Sequence, residues 1–499
     1  MERTVLVGGT LFDGSGAKPF VGDVLIEDGR IAAAGPALAL PAEAEFIDCR
    51  GLAVAPGFID LHSHSDLQVL DPERREKALQ GVTTEVVGNC GFSPYPCGSH
   101  SSGVREFANG IFRGSDEWTF PTAADYFSAL DRSPGPVSVK SLVGHGSLRV
   151  SLFGPRQDAL TGAELDALDG QLNEALAAGA AGLSTGLMYA PGSSAPFDEL
   201  VHLCKSVARA GKMYATHMRS YSFGLLEAVE EQLALARAAG CRLQISHLQA
   251  VGQLNWDKQR RALDAIDAAR REGVDVEFDI YPYQAGSTVL TQLLPQWALD
   301  GGTDRLIERL HLPGERRRIA EEAVSSMAQR WCDVFITSVR SEENQALVGL
   351  HMDQIALRLG VPPIDAAIEL IIQEHGAVNM VSFNQSEENL RELLSHPLCT
   401  VISDGFYVTG RPHPRLHGTF PFLLGEIVRE RRWMPLETAI HKITAQPAAR
   451  LGLGERGSLA KGMRADVTVF DPAVISSPAT YENPEQDPVG VIRVRRVTM

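Results

Sequence analysis

Four histidines, one aspartate and one cysteine of this 499-residue chain stand where they could act on one ion. His62 and His64 flank a single serine and follow the apolar run Phe58–Leu61. Positions i and i+2 of a strand face the same way, so both imidazoles can grip a common atom. His217 closes the run Met213–Thr216, and His247 closes Leu243–Ser246, 30 residues further on. That spacing is one βα step, which sets both rings at one level on neighbouring parallel strands. A lone buried histidine is more often a satisfied core residue than a ligand; two at matching strand ends favour a metal. Asp404 ends Thr400–Ser403 ahead of Gly405. Asp-Gly alone reads as a turn. With four histidines on the same rim, Asp404 is a candidate general base or metal ligand. Cys90 lies in VVGNCG. A buried cysteine is usually inert, and on its own Cys90 reads that way, although a thiolate is a good zinc ligand.

These residues converge only if the chain builds a rim. Apolar β-branched runs alternate with amphipathic stretches, which predicts βα units and a parallel sheet. Strands are expected near Phe58–His62, Thr83–Gly88, Val137–Val143, Ala180–Leu187, Lys212–His217, Arg242–Leu248, Val274–Tyr281 and Thr400–Asp404. Eight is the number that closes a parallel barrel, whose active site lies at the C-terminal strand ends. Gly224–Ala239 and Lys258–Arg271 are the clearest helices, with Gly240 and Gly273 as C-caps. Both ends of the chain read differently. Thr4–Val7, Val24–Glu27, Ile31–Ala34 and Phe46–Asp48 alternate with turns, as do Asp466–Phe470 and Gly490–Val497. The expected fold is α/β: a parallel (β/α)8 barrel over 56–451, and a small β domain from 1–55 and 452–499. The stretch of about 286–349 reads as an inserted small subdomain, with Gly301-Gly302 and Arg316-Arg317-Arg318 inside it.

Composition narrows the partners. The chain is 44% hydrophobic and 22% charged, as ordered globular proteins are, and carries a net charge of −16. That balance argues against nucleic acid or an anionic membrane surface as partner. No apolar run reaches the roughly 18 residues of a spanning helix. The opening MERTVLVGGTLFDG is too soon interrupted for a secretion signal. Seven cysteines, an odd number without a C-x-x-C pair, suit a reducing cytoplasm better than a disulfide framework. A homo-oligomer is compatible with all of this.

Two other motifs compete. Gly182-Leu-Ser184-Thr-Gly186 matches the G-x-S-x-G nucleophile elbow, but no helix start follows it. Gly452-Leu-Gly454-Glu-Arg-Gly457 matches G-x-G-x-x-G, but it follows a helix rather than a strand and reads as a plain turn.

Taken together, PGFIDLHSHSD, GVTTEVVGNCG, GHGSLR, STGLMYAPGS, THMRS, ISHLQAVG, FDIYPYQAGSTVL, ISDG and RPHPRLHGTFPFLLG run in order along nearly the whole chain. With the closing ITAQPAARLGLGERGSLAKGMRADVTVFDP, they resemble the N-acyl-D-amino-acid deacylases, or D-aminoacylases, of the amidohydrolase superfamily. The resemblance implies a distorted (β/α)8 barrel with a small β-sandwich domain from both termini and the inserted subdomain near the active-site mouth, and one tightly bound Zn2+ on Cys90, His217 and His247. It implies a second, weaker or empty position near His62 and His64, shared with Asp404. Many amidohydrolases bridge two metals with a carboxylated lysine on the fourth strand, and no lysine stands between Ala180 and Leu187. Cys90 occupies the place of the cysteine that replaces that bridge in the D-aminoacylase branch.

The implied activity is zinc-dependent hydrolysis of a small-molecule N-acyl-D-amino acid, with Asp404 as base and Tyr189 helping to polarise the carbonyl. A guanidinium fork suits the α-carboxylate, and Arg415 of RPHPR is the first candidate, ahead of Arg411 and Arg219. Tyr281, Tyr283 and Ser287 are candidate pocket residues, and His145 of GHG is expected near the mouth. Relatives with acidic substrates carry a lysine soon after the sixth-strand histidine. Here the stretch reads Leu248-Gln249-Ala250, which favours neutral or hydrophobic side chains. Met188, where relatives often have an acidic residue, has no reading. The alternatives are hydrolysis of a cyclic amide (hydantoin or dihydropyrimidine) or of a dipeptide-like amide, and a non-catalytic descendant of such enzymes.

Overall fold

The computed structural model describes residues 2–98, 100–112 and 118–495. Eight parallel strands form a closed ring: Phe58–Asp60, Val82–Val87, Ser138–Ser141 continued by Val143–Gly144, Gly182–Gly186, Met213–His217, Arg242–Ile245, Val276–Ile280 and Cys399–Val401. The first three pair in order, and so do the last six segments from Val143 to Val401. The ring closes where Gly405–Phe406 pairs parallel with Ser63–His64, the continuations of the eighth and first strands. Every expected barrel strand is present, each within a few residues of its expected bounds. The interior and the surrounding helices share one apolar core that includes Phe58, Val86, Leu183, Tyr214, Leu243, Phe278 and Val401.

The crossover helices bury one face each. In Leu225–Ala239, Leu225, Ala228, Val229, Gln232, Leu233, Leu235 and Ala236 are buried, and Gly240 ends the helix at φ 67°. That left-handed C-cap suits glycine, which has no Cβ to clash. Thr161 and Glu164 form a capping box at the start of Gly162–Ala177.

Strands from both chain ends join in one seven-stranded sheet. Arg3–Leu11 pairs with Phe20–Glu27 and Glu45–Asp48, and Val467–Phe470 bridges Ala53–Pro56 to Val491–Arg495. Residues 496 and 497 of the expected last strand lie outside the described residues. A separate antiparallel sheet is formed by Ala285–Val289, Asn379–Phe383 and Val334–Ser338. It packs with helices Thr303–His311, Pro313–Ser326, Met352–Leu359 and Pro363–Gln373 around its own core of Leu306, Ile319, Ile336, Met352, Ile368 and Met380. Among the described residues, no helix is long and apolar enough to cross a membrane.

Candidate metal centre and active site

The first strand delivers His62 and His64 to the rim, the second Cys90, the fifth His217, the sixth His247 and the eighth Asp404. Three of these sit in left-handed backbone: Cys90 at φ 53°, His247 at 35° and Asp404 at 49°. Such a conformation costs a non-glycine residue on the order of 1 kcal/mol or more, so the surroundings must enforce it. At Cys90 the neighbouring glycines allow it. A Cβ on Gly88 would meet the Leu142 carbonyl oxygen at 2.1 Å, and one on Gly186 would meet the Cys90 carbonyl oxygen at 2.0 Å. Ser184 closes the clamp: its hydroxyl donates to the Gly88 carbonyl at 2.5 Å and accepts from the Gly91 N–H at 3.0 Å. The serine of the G-x-S-x-G match therefore fastens the Cys90 loop.

Beneath Asp404 lies a buried network whose parts did not stand out in the sequence. Lys77, fully buried, donates from Nζ to Asp60 at 2.7 Å and to Ser403 Oγ at 2.6 Å. Asp60 also accepts from the Ser403 N–H at 3.0 Å, and the Asp404 N–H donates to the His62 carbonyl at 2.8 Å. Strands one and eight are thus locked at the seam where His62 and Asp404 meet. Asp279 does the same at strand seven, accepting from the His247 N–H at 2.7 Å and standing 3.6 Å from His62 Nδ1.

Two donor sets result, and they overlap. His62, Cys90 and His247 offer one ligand atom each within 4.8 Å of one another, and so do His62, His64 and Asp404. Cys90 Sγ is 3.3 Å from His62 Nε2 and 3.4 Å from His247 Nε2. Asp404 Oδ1 is 3.4 Å from His62 Nε2 and 3.3 Å from His64 Nε2. The His217 ring lies 4.7 Å from that of His247, and both its nitrogens are buried without a hydrogen-bond partner among the described residues. Buried donors left open in this way ask for a ligand. A thiolate with imidazoles is the donor chemistry of zinc.

The charges fit. Burial pushes the Cys90 thiol up, but the charges of His62 and His247 outweigh it and hold the thiol well below its ordinary value. Burial raises Asp404, and Arg415, His62 and His64 more than reverse it, so the carboxylate stays ionised. Burial lowers His64, while Asp404 and Cys90 pull it up to about 9. Burial lowers His217, which keeps its imidazole neutral and able to ligate.

Above this floor opens a cavity of about 570 Å3. His64, Cys90, Tyr189, His217, His247, Tyr281, Ser287, Asp404 and Arg415 all line it. The Arg415 guanidinium is buried, with Nη1 2.9 Å from Asp404 Oδ2 and its plane 4.6 Å from the Tyr281 ring centre. The Tyr189 hydroxyl lies 3.3 Å from Thr288 Oγ1, and its ring 4.9 Å from His217. Tyr281 donates to Gln249 Oε1 at 3.2 Å, and Ser287 donates to the Met380 carbonyl at 3.0 Å.

Other expected residues stand apart from this wall. His145 is buried on Glu199 at 2.8 Å, a carboxylate that Arg149 also binds. Tyr283 stacks on Phe422 with ring centres 4.7 Å apart. Arg411 packs against Gly349. Arg219 does line the cavity, but Glu231 and the Ser193 and Ala195 carbonyls engage its three nitrogens.

The model of an amidohydrolase family matches residues 45–494. An N-acyl-D-aspartate deacylase from Alcaligenes xylosoxydans xylosoxydans is 36% identical over 491 residues, 98% of this chain and 89% of that protein. A D-aminoacylase from the same organism is 36% identical over 490 residues, 98% of this chain and 92% of that one. Among solved structures, an N-acyl-D-glutamate deacylase from Bordetella bronchiseptica, complexed with zinc and a phosphonate inhibitor, superposes with a TM-score of 0.85 at 37% identity, covering 99% of this chain and 95% of that one. Together with the rim of ligands just described, these likenesses establish that the chain belongs to the D-aminoacylase (N-acyl-D-amino-acid deacylase) family of the amidohydrolases.

Proposed function

We propose that the protein hydrolyses the amide bond of N-acyl-D-amino acids, releasing a carboxylate and the free D-amino acid. The observation that carries this reading is the pair of donor sets sharing His62 at the floor of a cavity that also holds a buried arginine. Cys90, His217 and His247 are assigned as ligands of the tightly held zinc, and His62, His64 and Asp404 as a second position. Zinc bound there supplies Lewis-acid polarisation of the carbonyl and acidifies the attacking water.

The chain's own groups do the rest. Asp404, kept ionised, takes the proton from the water and passes it to the departing nitrogen. Tyr189, kept neutral by burial, donates its hydroxyl to the carbonyl oxygen as negative charge grows there. Arg415, with Nε buried and without a hydrogen-bond partner among the described residues, receives the α-carboxylate beside Tyr281 and Ser287. Met188, Gln249 and Val251 line the same cavity. With Arg415 on Asp404 and Arg219 on Glu231, neutral or hydrophobic substrate side chains fit better than acidic ones.

The finer architecture is proposed on the same footing. The terminal sheet is the small β-sandwich domain of 1–55 and 452–499, apart from the barrel. The inserted subdomain starts near 286 and is better ended at Phe383 than at 349, because Asn379–Phe383 is the middle strand of its sheet. Seven free thiols suit a reducing cytoplasm.

The test is release of free amine from matched N-acetyl-D- and N-acetyl-L-amino acids. Turnover of D-substrates is expected, lost to a chelator and regained on adding zinc. Cleavage of L-substrates alone, or of none, would refute the reading.

A further inference from the structure

We infer that the enzyme accepts straight aliphatic acyl groups longer than acetyl, and that their chains run past Tyr189 into a second cavity. This rests on the hydrolytic reading above. The second cavity, of about 150 Å3, shares Phe92, Ile111, Tyr189 and Gln292 with the main one. Tyr189 is therefore the partition between the two, and it is also the residue set against the scissile carbonyl.

Ring order gives the direction. In a closed ring of eight, the fourth strand lies opposite the eighth. Phe92 and Ile111 follow the second strand, Val82–Val87, and Tyr189 follows the fourth, Gly182–Gly186. Arg415, Tyr281 and Ser287 all follow the seventh or eighth. A substrate with its carboxylate on Arg415, after the eighth strand, and its carbonyl at Tyr189, after the fourth, spans the mouth and brings its acyl chain to the wall of Tyr189, Phe92 and Ile111 that the second cavity shares.

The chemistry there is apolar. Phe92, Ile111, Tyr189 and Val289 belong to one buried cluster, with Phe92 stacked on Phe107 at 4.5 Å between ring centres. Leu299 and Leu306 of the segment beyond add to the lining, alongside the polar Thr291, Gln292 and Thr303. Glu106 and Asn109 are exposed at its rim, and Glu106 accepts from the Thr303 N–H. A charged or strongly polar acyl group would lose its hydration inside. At roughly 30 Å3 per water-sized group, the volume holds about five such units, where the methyl of an acetyl group fills one.

The experiment measures kcat/KM for the acetyl, butanoyl, hexanoyl and dodecanoyl derivatives of one D-amino acid, the one whose acetyl derivative turns over fastest. An increase of roughly threefold per added methylene is expected up to about six carbons, then a plateau or a fall. Leu299→Trp, at a half-buried position, should bring the hexanoyl derivative down to the acetyl value and leave the acetyl value unchanged. Leu299→Ala, which cannot overpack, should shift the optimum to longer chains. A flat or falling series in the unmodified protein overturns the inference, as does an equal loss for every acyl length in Leu299→Trp. If no derivative of any length is cleaved, the hydrolytic reading itself has failed.

Discussion

The two ends of the barrel treat buried polar groups in opposite ways. At the end where the strands begin, Arg450 is buried with all three guanidinium nitrogens engaged, by Gln244, Asp275 and the Leu243 carbonyl. Lys442, beside it, donates to the carbonyls of His396 and Cys399. At the end where the strands finish, His217 has neither ring nitrogen bonded, and His62, His64 and His247 each leave Nδ1 open, among the described residues. A buried donor that is satisfied stabilises the fold, whereas one left open costs stability until something binds it. One end is therefore built to hold the barrel and the other to hold a ligand, the division expected of parallel barrels.

Four substitutions can break or sharpen that contrast. Asp404→Asn should lower kcat by about 10³–10⁴-fold while zinc content stays at the unmodified level. Turnover near normal would remove Asp404 from the chemistry. Tyr189→Phe should cost about 10²-fold in kcat with little change in thermal midpoint, the mark of a group that acts only as charge develops. Arg450→Met should do the reverse. It leaves the buried Gln244 Oε1 without its donor, and stability in urea titrations should fall by about 2 kcal/mol while kcat of the folded protein is unchanged. A drop in kcat there would show that the two ends are not separable.

The fourth prediction concerns pH. Burial pushes the Asp66 carboxyl up to about 7, and its Oδ2 has no hydrogen-bond partner among the described residues. Its folded pKa exceeds the unfolded 3.8, so the folded chain holds this proton more tightly. The group's contribution is thus largest below about pH 4 and declines as pH rises to about 7. Asp66→Asn should remove a slope of at most about 1.4 kcal/mol per pH unit in that window. Parallel stability curves for the two proteins would contradict it.

Much of this was legible beforehand. The period of the apolar runs and the spacing of His217 and His247 carry the eight strands and the level of the rim, because a βα step has nearly fixed length. Cys90 was not legible from its surroundings: what lifts it to the rim is a backbone at φ 53° held by Ser184, 94 residues away in sequence. Lys77 carries no mark in the sequence, since nothing local tells that it is buried against Asp60 and Ser403. Arg415 stood out as a carboxylate binder, yet its contact with Asp404 depends on how the loop after strand eight folds back. The proposed end of the inserted segment has no mark in the sequence, because helix Pro363–Gln373 has the pattern of any barrel helix.

The shared histidine has one consequence of its own. It is the same atom, Nε2 of His62, that lies 3.3 Å from the cysteine sulfur and 3.4 Å from the aspartate oxygen. A neutral imidazole nitrogen offers a single lone pair. With the tightly held zinc assigned to Cys90, His217 and His247, that electron pair falls to the second position alone, and a cation there would draw on a nitrogen 3.3 Å from the thiolate without taking a ligand from the first.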